Sequence, residues 1–139
     1  MDAKRPDPIR RLVYCFSSEA VPFSGEANAG LEEVPGLLER ARQHGIEVEE
    51  VDLSRRGEAE RRALYEQAAM AAVRGRFEIR RIFGSRRRGY GPDFGREVPA
   101  LLVYRGEDGF PAEVYPCRRR GRVMPIRDFL KGLPEAEIA

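Results

Sequence analysis

Gly95-Arg96-Glu97-Val98-Pro99-Ala100-Leu101-Leu102-Val103-Tyr104 is the stretch on which the reading of this chain turns. From Pro99 onward it is apolar and rich in strand formers, and a proline is tolerated at a strand's first position because no ladder hydrogen bond is lost there. A turn containing Asp108-Gly109 leads to a shorter partner at 112–115, which predicts an antiparallel hairpin. Ile126, Phe129, Leu130 and Leu133 then recur at helical spacing, with Pro125 in the first turn, and predict a closing amphipathic helix.

Towards the N-terminus, Leu12-Val13-Tyr14-Cys15-Phe16 is a short apolar run closed by Ser17 and Ser18, as expected of a central strand buried on both faces. Residues 19–30 carry Pro22, Gly25, Asn28 and Gly30 and read as loop. Leu31, Val34, Leu37, Leu38 and Ala41 give a helix with Pro35 in its first turn and Gly45 at its end. His44, the sole histidine, stands at that C-terminus, where a positive charge favours the helix dipole.

Ile46, Val48, Val51 and Leu53 predict a second strand, with a phase change at Glu49 and Glu50. Ser54 is the expected N-cap of a second helix, lined by Leu64, Ala68, Ala71 and Ala72 and closed by Gly75. The apolar period over 76–96 does not settle between two and 3.6, and 84–95 is glycine-rich and arginine-rich loop. The expected order is β-α-β-α-β-β-α in a single α/β domain over 10–133, preceded by a leader at 1–9 and followed by a tail at 134–139. The first two strands are then parallel, joined by a right-handed crossover, in a mixed four-stranded sheet flanked by helices.

Composition bounds the function. The chain's 139 residues suit one domain, and 42% hydrophobic with 35% charged residues suits a folded one. No apolar run approaches the roughly 20 residues of a membrane span, so the expectation is a cytoplasmic protein with no membrane partner. Cys15 and Cys117 are spaced neither as metal ligands nor as a disulfide framework. With one histidine and no nucleotide-binding loop or catalytic triad, no metal and no cofactor are expected. Charge is segregated: residues 19–53 hold nine acids against two arginines, and 54–96 twelve arginines against five acids. Either an acidic partner is implied or folding lets the two segments offset each other.

The element order and three local matches resemble the thioredoxin-like superfamily, its glutaredoxin branch in particular. Leu12-Val13-Tyr14 is similar to that family's first strand, and residues 45–52, Gly-Ile-Glu-Val-Glu-Glu-Val-Asp, to its second. Gly95-Arg96-Glu97-Val98-Pro99 is similar to the segment bearing the family's cis-proline, which implies a cis Val98–Pro99 peptide and a ligand groove beside it. The two positions where the family carries its redox cysteines fall on Glu19 and Pro22, so dithiol chemistry is not expected. The family's Gly-Gly after the fourth strand is replaced by Pro116-Cys117-Arg118-Arg119-Arg120, which speaks against glutathione binding of the usual kind.

Three functions follow from these residues. The first is a non-redox binding or adaptor domain taking a protein or peptide in a groove made by Ser17, Ser18, Glu19, Pro22, Val98 and Pro99, unless Val21, Pro22 or Phe23 fills it. The second is binding of phosphate, nucleic acid or another polyanion by Arg86, Arg87 and Arg88 together with Arg118, Arg119 and Arg120. The third is a single-thiol redox enzyme using Cys117, whose arginine neighbours favour a thiolate, or Cys15, which more often than not is simply a small buried hydrophobe at such a position. Oligomeric state is not legible.

Overall fold

The computed structural model describes residues 7–22, 25–75, 99–107, 109–119 and 121–133. The first strand, β1 (Ile9–Phe16), begins one residue before the expected boundary. Its outward hydrogen bonds explain why: Gly106 donates its N–H to Pro8 O at 3.0 Å and Arg105 donates to Asp7 O at 2.9 Å, so the chain is already tied down ahead of the apolar run.

After β1 come two single turns of 3-10 helix, Glu26–Asn28 and Leu31–Glu33, and then α1 (Val34–Gln43). Helix α1 starts at Val34 rather than Leu31, with Pro35 in its first turn where the missing N–H costs nothing. His44 occupies its C-cap, and the ring Nδ1 lies 2.8 Å from Arg40 O. Strand β2 (Glu47–Asp52), a 3-10 turn at Leu53–Arg55 and α2 (Glu58–Gly75) follow. Ser54 does not cap α2; it belongs to the 3-10 turn, and Gly57 O receives the first helical N–H, from Arg61, at 3.1 Å.

The C-terminal part holds β3 (Ala100–Arg105), β4 (Glu113–Tyr115), β5 (Cys117–Arg119), β6 (Arg122–Met124) and α3 (Ile126–Lys131). The β5–β6 hairpin is an addition to the expected order. Its strands are three residues each and arginine-rich, too short and too polar to show an apolar period. The Tyr115–Pro116 peptide that precedes it is cis. The Val98–Pro99 peptide, for which the cis form is expected, lies outside the described residues, as do Arg86, Arg87, Arg88, Phe23 and Arg120.

The main sheet has the order β2-β1-β3-β4, with β1 parallel to β2 and every other pair antiparallel. The protein is thus α/β with a mixed four-stranded sheet. Leu101 and Leu102 point to opposite faces of β3. Tyr115, opposite Leu101, stacks on Phe129 of α3 with ring centroids 4.2 Å apart, whereas Val13, opposite Leu102, borders a cavity with Leu64 of α2. Helix α3, with α1 packed against it, therefore covers one face and α2 the other. All four residues from Leu101 to Tyr104 are buried, which is what a central strand covered on both sides requires.

Helices α1 and α3 are also joined electrostatically. Glu33, just ahead of α1, receives Arg127 Nη1 at 3.2 Å and Lys131 Nζ at 3.0 Å, and both hydrogen bonds hold its carboxyl below its ordinary value. Arg127 lies so close over Gly30 that a Cβ there would meet its side chain at 2.3 Å, and Gly30 has φ of 70°. Only glycine satisfies both conditions without strain.

Candidate functional site

The carboxyl end of β1 is where an open α/β sheet ordinarily presents its ligand site. Five residues meet there. Ser17 is buried, and its hydroxyl has no hydrogen-bond partner. Ser18, exposed, donates its N–H to Asp52 Oδ1 at 3.0 Å and its hydroxyl to Asp52 Oδ2 at 2.6 Å. From the end of β2, Ser54 donates its N–H at 3.1 Å and its hydroxyl at 2.6 Å to Asp52 Oδ1. Arg55 Nε stands 3.5 Å from Asp52 Oδ2. The two serine hydroxyls are 3.1 Å apart.

Asp52 is the hub of this cluster, and the sequence reading did not single it out. Hydrogen bonds from Ser18 and then Ser54 hold its carboxyl well below the usual carboxylate range. An aspartate ending a strand two residues before a serine is the signal of a short side-chain-to-backbone turn, and it was available in Asp52-Leu53-Ser54. Both oxygens are occupied by donors from this chain, so the role of Asp52 is to fasten the segment after β1 to the end of β2.

The stability contributed by Asp52 carries a sign. A carboxyl whose folded value is depressed stabilises fully above its unfolded value, about 4, and the contribution is lost as pH falls through the folded value. Asp52→Ala should lower the melting temperature by several degrees at pH 7. It should also flatten the decline of stability between about pH 4 and pH 2, as followed by urea unfolding at a series of pH values. An unchanged acid limb would show that the cluster does not hold the segment.

Beyond Ser18 the chain turns back, Ala20 donating its N–H to Ser17 O at 3.3 Å, and then stands clear of the core. Glu19 and Pro22 are exposed, and Val21 is 84% exposed. Neither Val21 nor Pro22 fills a groove. Pro99, at the head of β3, is buried, so it supports the site from within rather than lining it openly. Val98 lies outside the described residues. Of the six expected groove residues, Ser18, Glu19 and Pro22 are thus exposed, while Ser17 and Pro99 are buried.

Both thiols are withdrawn. Cys15 is fully buried on the α2 face of β1, and burial first, with the charge of Glu49 second, pushes its thiol up to about 12. Cys117, the thiol expected to be favoured by its arginine neighbours, is 2% exposed, so β5 holds it inward while the chain continues into the hairpin. Neither forms a disulfide. Among the described residues no group of three or more His, Cys, Asp or Glu stands close enough to hold a metal.

The basic surface is described only in part. Arg118 is half-buried, with Nη1 3.4 Å from Gly121 O and its Nε buried without a partner, and Arg122 is exposed. Among the described residues, the acids of 19–53 pair with Arg11 on Glu47 and Glu49, Arg42 on Glu50, and Arg127 and Lys131 on Glu33. Among the described residues, Arg55 on Asp52 is the single pair between that acidic stretch and 54–96. No helix is long and apolar enough to cross a membrane among the described residues.

Fold and site together define an α/β domain whose carboxyl-end surface is built of serines around a fastened aspartate, with its thiols buried. No protein-family model, curated protein or solved structure matches the chain.

Proposed function

We propose that this chain is a non-redox binding domain with a thioredoxin-like arrangement, recognising an extended protein or peptide segment at the surface formed by Ser17, Ser18, Glu19, Val21 and Pro22. The observation that carries the reading is the state of that segment. It holds a buried hydroxyl with no partner at Ser17 and, four residues on, a valine almost wholly in solvent. An unsatisfied buried hydroxyl costs free energy that a shift of the segment on binding recovers, and the exposed valine offers apolar contact. The sheet order supports the arrangement, with the central strand delivering this segment at its carboxyl end. Burial of Cys15 and Cys117 argues against the single-thiol alternative.

The test is selection of a phage-displayed random heptapeptide library on the immobilised protein, followed by titration of an enriched peptide. The expected result is saturable binding that shifts the amides of 17–22 and weakens at least tenfold in Val21→Arg, a change at an exposed position that leaves the fold intact. Absence of enrichment overturns the reading. So does binding that ignores Val21→Arg, or capture of polyphosphate alone with a steep loss at high salt, which would assign the protein to polyanions.

A further inference from the structure

We infer that the face of the sheet under α2 carries a second site, one that binds a small zwitterion of the amino-acid class with an apolar side chain. A cavity of about 300 Å³ lies there, at the small end of the range for ligand sites. Its apolar lining comes from Val13 and Val51 of the sheet, both buried, and Leu64 of α2. Its polar lining comes from Arg11, Glu49, Arg56, Glu60, Gln67 and Tyr104.

Charge balance selects the ligand class. Two guanidinium groups and two carboxylates line the cavity, so a net anion or a net cation would leave an uncompensated charge, whereas a zwitterion leaves none and, unlike a neutral molecule, offers each member of an opened ion pair an opposite charge. One resident pair is easily exchanged: Arg56 Nη1 meets Glu60 Oε2 at 3.2 Å with side chains 40% and 61% exposed, a pairing of the kind that contributes little to stability. Arg11 pairs with Glu49 and lies over the Tyr104 ring at 5.3 Å, while Tyr104 donates its hydroxyl to Gln67 Oε1.

Arg11 is already engaged, its buried Nε 3.3 Å from Glu47 Oε2 and its Nη2 on Glu49, so it forms a fixed wall of the cavity. A ligand carboxylate would take Arg56 and the ammonium Glu60, the pair that opens to admit it. The side chain would then rest on Val13, Val51 and Leu64. The site involves none of the residues of the segment after β1, so it stands or falls separately from the proposed function.

L-leucine, 4-methylpentanoate and 3-methylbutylamine form the test set, since the second lacks only the amine and the third only the carboxylate. Titrated against the full chain and followed by backbone amide shifts, leucine is expected to saturate with shifts at Val13, Val51, Leu64 and Gln67. Each half-ligand is expected to bind at least tenfold more weakly. Arg56→Gln and Glu60→Gln, both at exposed positions that the fold does not need, should each weaken leucine at least tenfold. No saturable shift with leucine overturns the inference. So does equal binding of 4-methylpentanoate, which would mark a simple anion site, or indifference of leucine binding to both variants.

Discussion

Excess iodoacetamide at pH 7 is expected to leave both cysteines of the folded protein unmodified over a period in which the urea-unfolded chain is alkylated to completion. For Cys15 the reason is electrostatic as well as steric. Its thiol is raised from 9.0 to about 12 by burial, with Glu49 adding repulsion. The reacting species is the thiolate, so a raised thiol reacts more slowly even before access is considered. For Cys117, 2% exposure is the barrier. Both thiols then react only through opening of the structure, and the rate should track unfolding free energy as denaturant is added. The same burial, with no cysteine in the segment just after β1, means that no insulin reduction is expected. Mass spectrometry after timed quenching gives the answer. Alkylation of Cys117 in the native state at the rate of a free thiol would restore the single-thiol enzyme as the better reading.

Leu102→Ala should cost about 2–5 kcal/mol, the cost of deleting a large side chain from a packed interior. Leu102 has 0% exposure and sits in the second of the two central strands, between Val13 of β1 and Val114 of β4 in register. Neighbours on both sides and α2 above leave little room for collapse into the void. Domains of this size are ordinarily stable by only about 5–15 kcal/mol, so the variant should lose a large share of its folding free energy and show a much lower urea midpoint with an unchanged slope. Val21→Arg, the binding variant, serves as the contrast: at 84% exposure it should move the midpoint little. A midpoint shift of under 1 kcal/mol for Leu102→Ala would mean that β3 is not the centre of the core.

Much of this architecture is written in local pattern. The apolar runs at 12–16 and 99–104 read as central strands because both faces are covered and no polar alternation is imposed on them. Helix α1 was legible from its three-and-four spacing, its early proline and its basic end. The start of α2 was missed because Ser54 satisfies the statistics of an N-cap, while in the fold its N–H and hydroxyl both turn back to Asp52. The β5–β6 hairpin escaped notice because two strands of three residues, with two arginines in β5 and one in β6, are too short and too polar to carry an apolar period.

By itself, then, the amino-acid sequence determined an α/β class with two apolar strands at the centre of the sheet, and the absence of a cysteine from the segment just after β1, where Glu19 and Pro22 stand. Those properties depend on residue type and on spacings of two, three and four, which act over a few residues. Tertiary structure alone decided that Cys117 is hidden, that Asp52 gathers Ser18 and Ser54, and that arginines and glutamates meet in a cavity under α2. These depend on which distant segments are brought together. Ser18 and Asp52 stand 34 positions apart, and Tyr104 and Gln67 stand 37 apart, and no local periodicity encodes a hydrogen bond across such a separation.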